Sequence, residues 1–417
     1  FKKAKDKLDQ GLRKLTDDLD GILYIEQYKG VNLEEKEYRT WLATHQPFHW
    51  FAEFYEIIKE RSGFDVVIGN PPYVEYSKVK KDYQIKEFRT EGCGNLYVFV
   101  LERCNQFIDQ TGWLGMILPL SICSGERMSE LRSLSMCSFK NLYLSNFEIF
   151  PSKLFEGAFQ RLTILTGSQK KETIPSSRFV TKLHRWYSIE RENLINKINY
   201  SEIIEEEALP LFGKYQSDNS LGIINHITKQ KKTIAHFCVK TRLNCFIYYQ
   251  EATNYWMKAS IRVPFYKKNG KIGSPAHGRF LYFEKEKITS GALALLNSSL
   301  FYLWYITYSD GFHLSDLIVK RFPVDENLLQ NELLIKAGRE LERDIKNNAV
   351  ITTRNTKKDD IEIETFKLSQ SKPLIDQIDC LIAQHYGFTH EELDFIINYD
   401  IKYRMGKELN RGEDNND

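Results

Sequence analysis

The stretch that most constrains this chain is Phe64-Asp65-Val66-Val67-Ile68-Gly69-Asn70-Pro71-Pro72-Tyr73-Val74. Phe64 to Ile68 is short, apolar and rich in β-branched residues, so it predicts a buried strand rather than a helix. Gly69 and two consecutive prolines end it. Proline has no N–H to give a ladder and fixes its own φ, so the chain leaves the sheet as a stiff extended turn. Asn70, the Pro71 carbonyl and the Tyr73 ring are thereby placed at the carboxyl end of a strand, where open α/β sheets bind ligands.

Such a turn suits one kind of chemistry. The Asn70 carboxamide oxygen and the Pro71 carbonyl are two acceptors converging on one point, which matches an –NH2 group. Tyr73 offers a flat face on which a planar ring can stack. The amine of a nucleobase is a poor nucleophile because its lone pair is delocalised into the ring. Two acceptors favour a more tetrahedral nitrogen and expose that lone pair to an electrophilic methyl. No strong base is needed, since the proton can leave after the methyl has arrived.

Asn70-Pro71-Pro72-Tyr73 after Phe64–Gly69 resembles the catalytic motif of gamma-class N(6)-adenine DNA methyltransferases. Within that class it resembles the large type IIG restriction–modification and BREX-type enzymes. The resemblance implies S-adenosylmethionine as methyl donor, duplex DNA as partner and a cytoplasmic location. It assigns Asn70, Pro71, Pro72 and Tyr73 to catalysis, with Tyr73 also stacking on a flipped base. By position in the loop Phe150–Phe159, Phe155 is expected to cover the base's other face, with Phe159 the runner-up. The resemblance is specific over about His49 to Gly167, weaker over Leu211 to Asp325 and faint beyond.

The fold class read from the sequence is α/β. Leu8, Leu12, Leu15 and Leu19 recur at helical spacing, so the chain opens on an amphipathic helix; Tyr28 to Gln46 reads as a polar connector. After the turn, a charged loop from Glu75 to Cys93 leads to a helix over about Leu96 to Asp109. Asn95 is its expected cap, and Thr111-Gly112 its end. Strands follow at Trp113–Leu118, Leu142–Phe150 and Leu162–Thr166, with a helix at Glu126–Leu134. This alternation predicts a doubly wound sheet. The resemblance implies that its last strands close as an antiparallel hairpin.

The divisions expected are a helical connector (1–60), the catalytic half of a Rossmann-like methyltransferase domain (61–170) and a linker (171–210). An α+β target-recognition domain (211–330) and a C-terminal helical segment (331–417) complete it. Methyltransferases of this family hold their donor on a glycine-rich strand–turn–helix upstream of the catalytic strand, because glycines let the backbone approach the nucleoside. No such turn precedes Phe64, and Gly92-Cys93-Gly94 lies downstream without a strand before it. The main donor-binding loop is therefore expected in a missing N-terminal half of the same protein. A first residue of Phe rather than Met fits a fragment, expected to be inactive alone and to bind the donor weakly or not at all. A nuclease fused upstream cannot be read here.

Overall charge says little about partners, since the net is only +2, but its distribution does. From Lys229 to Arg279 there are eleven Lys or Arg and one acidic residue, Glu251. Phe246, Tyr248, Tyr249, Trp256 and Tyr266 interleave with them. A basic surface with polar aromatics favours a phosphate backbone, so Lys240, Arg242, Lys258, Arg262, Lys267, Lys268, Lys271 and Arg279 are the candidate DNA contacts. Lys267-Lys268-Asn269-Gly270-Lys271 reads as a hairpin tip between strands at Ile261–Tyr266 and from Lys271 onward.

Gly291 to Tyr308 predicts one strongly apolar helix, and Asn331 to Lys346 another. Thr352 to Asp360 is charged and reads as flexible. Two last helices, Leu374–Tyr386 and His390–Asn398, are expected, with Thr389 capping the second. The tail from Arg404 is polar. Ala292 to Ile306 is the most apolar run, but Asn297, Ser298 and Ser299 interrupt it, so it predicts a buried helix and no membrane span. The seven cysteines form no C-x-x-C and no zinc spacing, which fits reduced thiols and no metal site. Two other functions stay open: a DNA-specificity module that has lost catalysis, and an amino-methyltransferase acting on RNA or on protein glutamine.

Overall fold

The structure is a computed structural model and describes residues 2–28, 35–82, 84–169, 176–203, 208–356 and 359–406. Its largest sheet has six strands: β1 (Phe64–Gly69), β2 (Ile108–Pro119), β3 (Phe139–Phe147), β4 (Leu162–Gln169), β5 (Ser177–His184) and β6 (Ser201–Ile203). Their order is β1-β2-β4-β3-β5-β6. β1 runs parallel to β2, and β4 lies antiparallel beside β2, between β2 and β3. The antiparallel pairing seen is that of β4 with β2, with β4 inserted between β2 and β3. Helices Leu96–Phe107 and Ser129–Ser138 connect β1 to β2 and β2 to β3.

By its internal packing the chain divides into two compact units. The first is Phe1–Ile122, Arg127–Leu144 and Leu162–Phe179; the second is Cys123–Glu126, Ser145–Arg161 and Val180–Asp417. The second unit thus takes in the Phe150–Phe159 loop, and it begins well before residue 211.

In the first unit, β1 departs from expectation. It is the terminal strand of the sheet, with Val66 59% and Ile68 79% exposed, rather than a buried one. An apolar run alone does not say whether a strand has neighbours on both edges. Two glycines let β1 approach β2. Gly63 has φ +131°, and a Cβ there would lie 2.6 Å from the Phe107 carbonyl; one on Gly112 would lie 2.7 Å from the Phe64 carbonyl. The expected connector holds a helix, Glu35–His45. Its Trp41 buries its ring and donates to Gln27 at 2.9 Å. Asn95 does not cap its helix through its side chain; instead its amide donates to Glu75 at 3.1 Å. Thr111-Gly112 lies within β2, because the preceding helix already ends at Phe107.

The second unit contains two further sheets. One has the order β7-β11-β8, from Cys238–Val239, Gly278–Phe283 and Phe246–Gln250. The other has the order β10-β9-β13-β12, from Lys271–Ile272, Tyr266–Lys268, Asp360–Thr365 and Val350–Asn355. The turn at Asn269-Gly270 is as expected, with positive φ at both residues, the signature of the tight turn that matches strand twist, but its first strand is Tyr266–Lys268 rather than Ile261–Tyr266. Of the stretch read as flexible, Thr352–Asn355 instead lies in β12 and Asp360 opens β13; these strands pair antiparallel, and β13 pairs antiparallel with β9. Alternation in Ile361, Ile363 and Thr365 was masked by the surrounding charges. The linker expected at 171–210 carries β5 and β6, whose short runs are too polar to stand out.

The apolar stretch before Tyr308 forms two helices, Glu286–Asn297 and Ser299–Tyr308. Ser298 breaks them with ψ 159°, and its hydroxyl accepts from Phe301 N–H. Both helices are buried almost throughout, and no described helix is long and apolar enough to cross a membrane. Thr389 caps His390–Asn398 with a reciprocal bond from Glu392, as expected. A short helix, Ile401–Met405, follows. Residues 204–207, most of the acidic stretch after Ile203, and the tail from 407 lie outside the described residues.

Replacing Gly63 by Ala should destabilise the protein by about 2–4 kcal/mol, since a Cβ meets backbone at a φ that L residues avoid. Urea unfolding of the variant measures this, and an unchanged midpoint would contradict the close packing at the start of β1.

Candidate active site

The register of β1 on β2 fixes the turn. Ile68 pairs with Gly115 and Gly69 with Met116, so Asn70 emerges level with Ile117. Asn70 and Pro72 are exposed, Pro71 is buried and Tyr73 is half-buried. The four residues expected to act together are therefore together, at the carboxyl end of β1. Among the described residues the Pro71 carbonyl has no hydrogen-bond donor.

Tyr73 does something the sequence reading did not foresee. Its hydroxyl lies 2.6 Å from Asn70 Oδ1 and 2.8 Å from the Ile117 carbonyl oxygen. One phenolic proton serves both acceptors. Burial pushes the Tyr73 pKa up to about 12, so at neutral pH it is a donor. The carboxamide oxygen of Asn70 is thereby held toward β2 with one lone pair engaged and the other free. The Tyr73 ring meets Tyr97 edge-on at 6.3 Å. Tyr97 is itself fixed, its hydroxyl 2.9 Å from Ser121 Oγ.

The chain after the turn is tied down. The Val74 carbonyl accepts from Leu96 N–H and the Gly94 carbonyl from Tyr76 N–H, both at 2.9 Å. Glu75 accepts from Arg127 at 2.9 Å as well as from Asn95. The turn is thus anchored on both sides.

Beside it lies an apolar cavity of about 350 Å³, lined among others by Phe64, Val67, Pro72, Leu96, Phe99 and Phe107. A register shift between Phe64 and Val66 interrupts strict alternation, which is how Phe64 and Val67, three residues apart, come to line one cavity. Among the described residues Arg103 is the one charged residue on its wall. The cluster His49–Phe54 flanks it: Trp50 packs on Phe107 at 5.4 Å, and His49 Nε2 lies 2.8 Å from Asp20 Oδ1.

Phe155 belongs to the second unit and is 40% exposed, with Phe159 69% exposed. The candidate DNA contacts fall in that unit and separate into two groups. Arg262 holds Glu364 with both terminal nitrogens, at 2.6 and 2.7 Å. Lys267 pairs with Glu362 at 2.7 Å, Lys268 with Asp359 at 2.9 Å and Arg279 with Glu251 at 3.1 Å. Lys258 is half-buried, and burial lowers its pKa. Lys240, Arg242 and Lys271 are exposed and have no ion pair among the described residues. The basic run is therefore partly neutralised by acids on and before β13, about ninety residues downstream, which no local charge count could reveal.

The chain resembles known proteins over part of its length. Residues 11–155 match the family model described as Eco57I restriction-modification methylase. The matched segment takes in the Asn70–Tyr73 turn. A curated protein of Methanocaldococcus jannaschii, described as a type II restriction enzyme and methyltransferase, is 32% identical over 176 residues, covering 40% of this chain. The chain spans 14% of that relative's length. Among solved structures, the type IIL restriction-modification enzyme MmeI in complex with DNA is 10% identical, covers 81% of this chain and 57% of its own, and has a TM-score of 0.42. The type IIG restriction endonuclease BpuSI is 9% identical, with 80% and 52% coverage and a TM-score of 0.30.

Tyr73→Phe removes the donor shared by Asn70 and Ile117. The variant should be less stable by about 1–2 kcal/mol at neutral pH. Because burial raises the folded-state pKa, the wild type's advantage should hold below the ordinary phenol pKa and fall as pH rises through about 12. Urea midpoints for both proteins across alkaline pH test this; a constant difference would sink it.

Proposed function

We propose that this chain is the catalytic and target-recognition portion of a DNA adenine methyltransferase from a restriction–modification or related phage-defence system. One observation carries the reading. Two acceptors, Asn70 Oδ1 and the donorless Pro71 carbonyl, stand at a rigid strand end beside an apolar cavity. The family match over residues 11–155 supports it.

The target adenine leaves the helix, at a cost of a few kcal/mol of stacking and pairing. Its amine donates to the free lone pair of Asn70 Oδ1 and to the Pro71 carbonyl. Donation from the Tyr73 phenol favours the orientation in which Asn70 presents its oxygen there. The Tyr73 ring supports one face of the base.

The methyl donor implied is S-adenosylmethionine, which supplies an electrophilic sulfonium methyl. The cavity walled by Pro72, Phe64, Leu96 and Phe99 fits the donor's planar ring. Apart from Arg103, its lining among the described residues offers no charged group for the polar ends of the donor. Those ends are assigned to another segment of the full protein. The open edge of β1, with Val66 and Ile68 exposed, suits a strand from that segment. Duplex DNA binds through the exposed Lys240, Arg242 and Lys271, while Arg262, Lys267 and Lys268 chiefly brace β13.

In the full protein, Asn70→Ala should reduce methylation by about a thousandfold or more, as loss of a transition-state acceptor does, and leave DNA affinity within about threefold. Methylation at near wild-type rate would refute the scheme. For DNA binding, neutralising Lys240, Arg242 or Lys271 should each lower the slope of log K against log salt by about 1. Lys268→Ala should change the slope less, because that ammonium already pairs with Asp359. Equal effects from all four would refute the division into free and engaged cations.

A further inference from the structure

Within the second unit a cavity of about 350 Å³ lies where β5 ends, lined among others by Lys182, His184, Trp186, Lys197, Gln216 and Tyr403. The methyl-transfer reading uses none of these residues. The walls are held in place. The Phe147 ring stacks on His184 at 5.8 Å and meets Trp186 edge-on at 6.0 Å. Tyr403 donates to the Arg185 carbonyl at 2.7 Å, so the short helix Ile401–Met405 supplies one wall.

Trp186 Nε1 and His184 Nε2 are buried and have no hydrogen-bond partner among the described residues. Trp186 is 2% exposed. An indole N–H can only donate, so what it lacks is an acceptor. A buried donor without one is costly, and native interiors rarely keep it so. Burial, with the charge of Lys182, holds the His184 pKa down to about 4, so its ring is neutral at pH 7. In one tautomer it donates from Nε2.

The charges on the wall are unequally committed. Arg185 is taken up by Glu148 at 3.5 Å and Asp400 at 3.4 Å. Glu190 accepts from the Tyr187 N–H at 2.8 Å and pairs with Lys402 at 3.2 Å. Lys197 stands 4.0 Å from Glu190. Lys182 has no ion pair among the described residues, and its ammonium meets Gln216 Oε1 at 3.4 Å. The charge left over is positive, and the unpaired indole is a donor.

We propose that this cavity binds a phosphate group, as the free anion or as a small phosphate monoester, with the Trp186 indole and the Lys182 ammonium donating to its oxygens. Phosphate gathers several strong acceptor oxygens on one compact group, which suits donors arriving from different walls. Size agrees, since the volume falls in the range of small-molecule sites. A duplex backbone cannot bring its phosphates to so buried an indole. The inference is independent of methyl transfer.

The test uses the full protein with isotope-labelled indole nitrogens, without DNA or methyl donor. Trp186→Phe identifies the indole signal of this site. Inorganic phosphate and deoxyadenosine monophosphate are titrated separately. Either should move that signal downfield and saturably, and the tighter of the two tells the free anion from the ester. By calorimetry, Lys182→Gln and Trp186→Phe should each weaken binding between about tenfold and a hundredfold, as loss of a charge-assisted hydrogen bond does. Lys197→Gln, at a side chain 62% exposed, should weaken it less than about threefold. Acetate and a short DNA duplex should leave the indole signal unmoved.

Phosphate affinity unchanged in both Lys182→Gln and Trp186→Phe would overturn the proposal, as would an indole signal that neither probe moves. An equal response to acetate, or a response to duplex DNA alone, would also overturn it. Should Trp186→Phe fail to fold, Lys182→Gln, altered at a half-buried side chain, decides by calorimetry.

Discussion

The parallel seating of β1 on β2 is the constraint from which the geometry of the Asn70–Tyr73 turn follows. Gly69 opposite Met116 brings Asn70 level with Ile117, and only then can one phenol reach both a side-chain oxygen and a carbonyl of the next strand. A shift of one residue would point Tyr73 to the other side of the sheet. The prolines contribute stiffness rather than contacts. They remove two N–H groups that would otherwise compete for the acceptors, and leave the Pro71 carbonyl without a donor. The turn is specific because it is poor in internal hydrogen bonds.

That turn was legible because its chemistry is local. Strand, prolines, asparagine and tyrosine are consecutive, and their backbone restrictions act within a few residues. The helices after Asn331 and after Thr389 were legible for the same reason, since caps and apolar spacing announce them. The hydroxyl contact from Tyr73 to Ile117 was not, because it joins residues separated by a whole helix and depends on strand register. Nor was the edge position of β1. Val66 and Ile68 read as interior residues, and sequence does not say which strands flank them.

The basic region shows the same limit in charge. Counting Lys and Arg from 229 to 279 describes a strongly cationic segment, yet folding lays β13 against β9 and sets Glu362 and Glu364 beside Lys267 and Arg262. Half-exposed pairs of this kind add little stability. Their consequence lies in what they leave over. Lys240, Arg242 and Lys271 have no ion pair among the described residues, which narrows the proposed phosphate contacts to particular positions. A composition argument gives the sign of a surface, and only pairing gives its address.

Buried charge in the second unit obeys a different logic. Glu148, Arg185 and Asp400 are almost wholly desolvated, with side-chain exposures of 0%, 0% and 5%. Burial raises the Glu148 pKa, and the neighbouring guanidiniums of Arg185 and Arg161 oppose that rise. Apolar side chains of similar volume would serve stability as well or better. An apolar cluster would also tolerate several packings. Carboxylate and guanidinium groups accept few arrangements, because each misplacement strands a charge without solvent. Two anions and two cations, counting Arg161, therefore favour a single conformation for everything attached to them. The segment attached between Glu148 and Arg161 is the aromatic loop, so definition of shape is gained where an exposed loop would otherwise lack it.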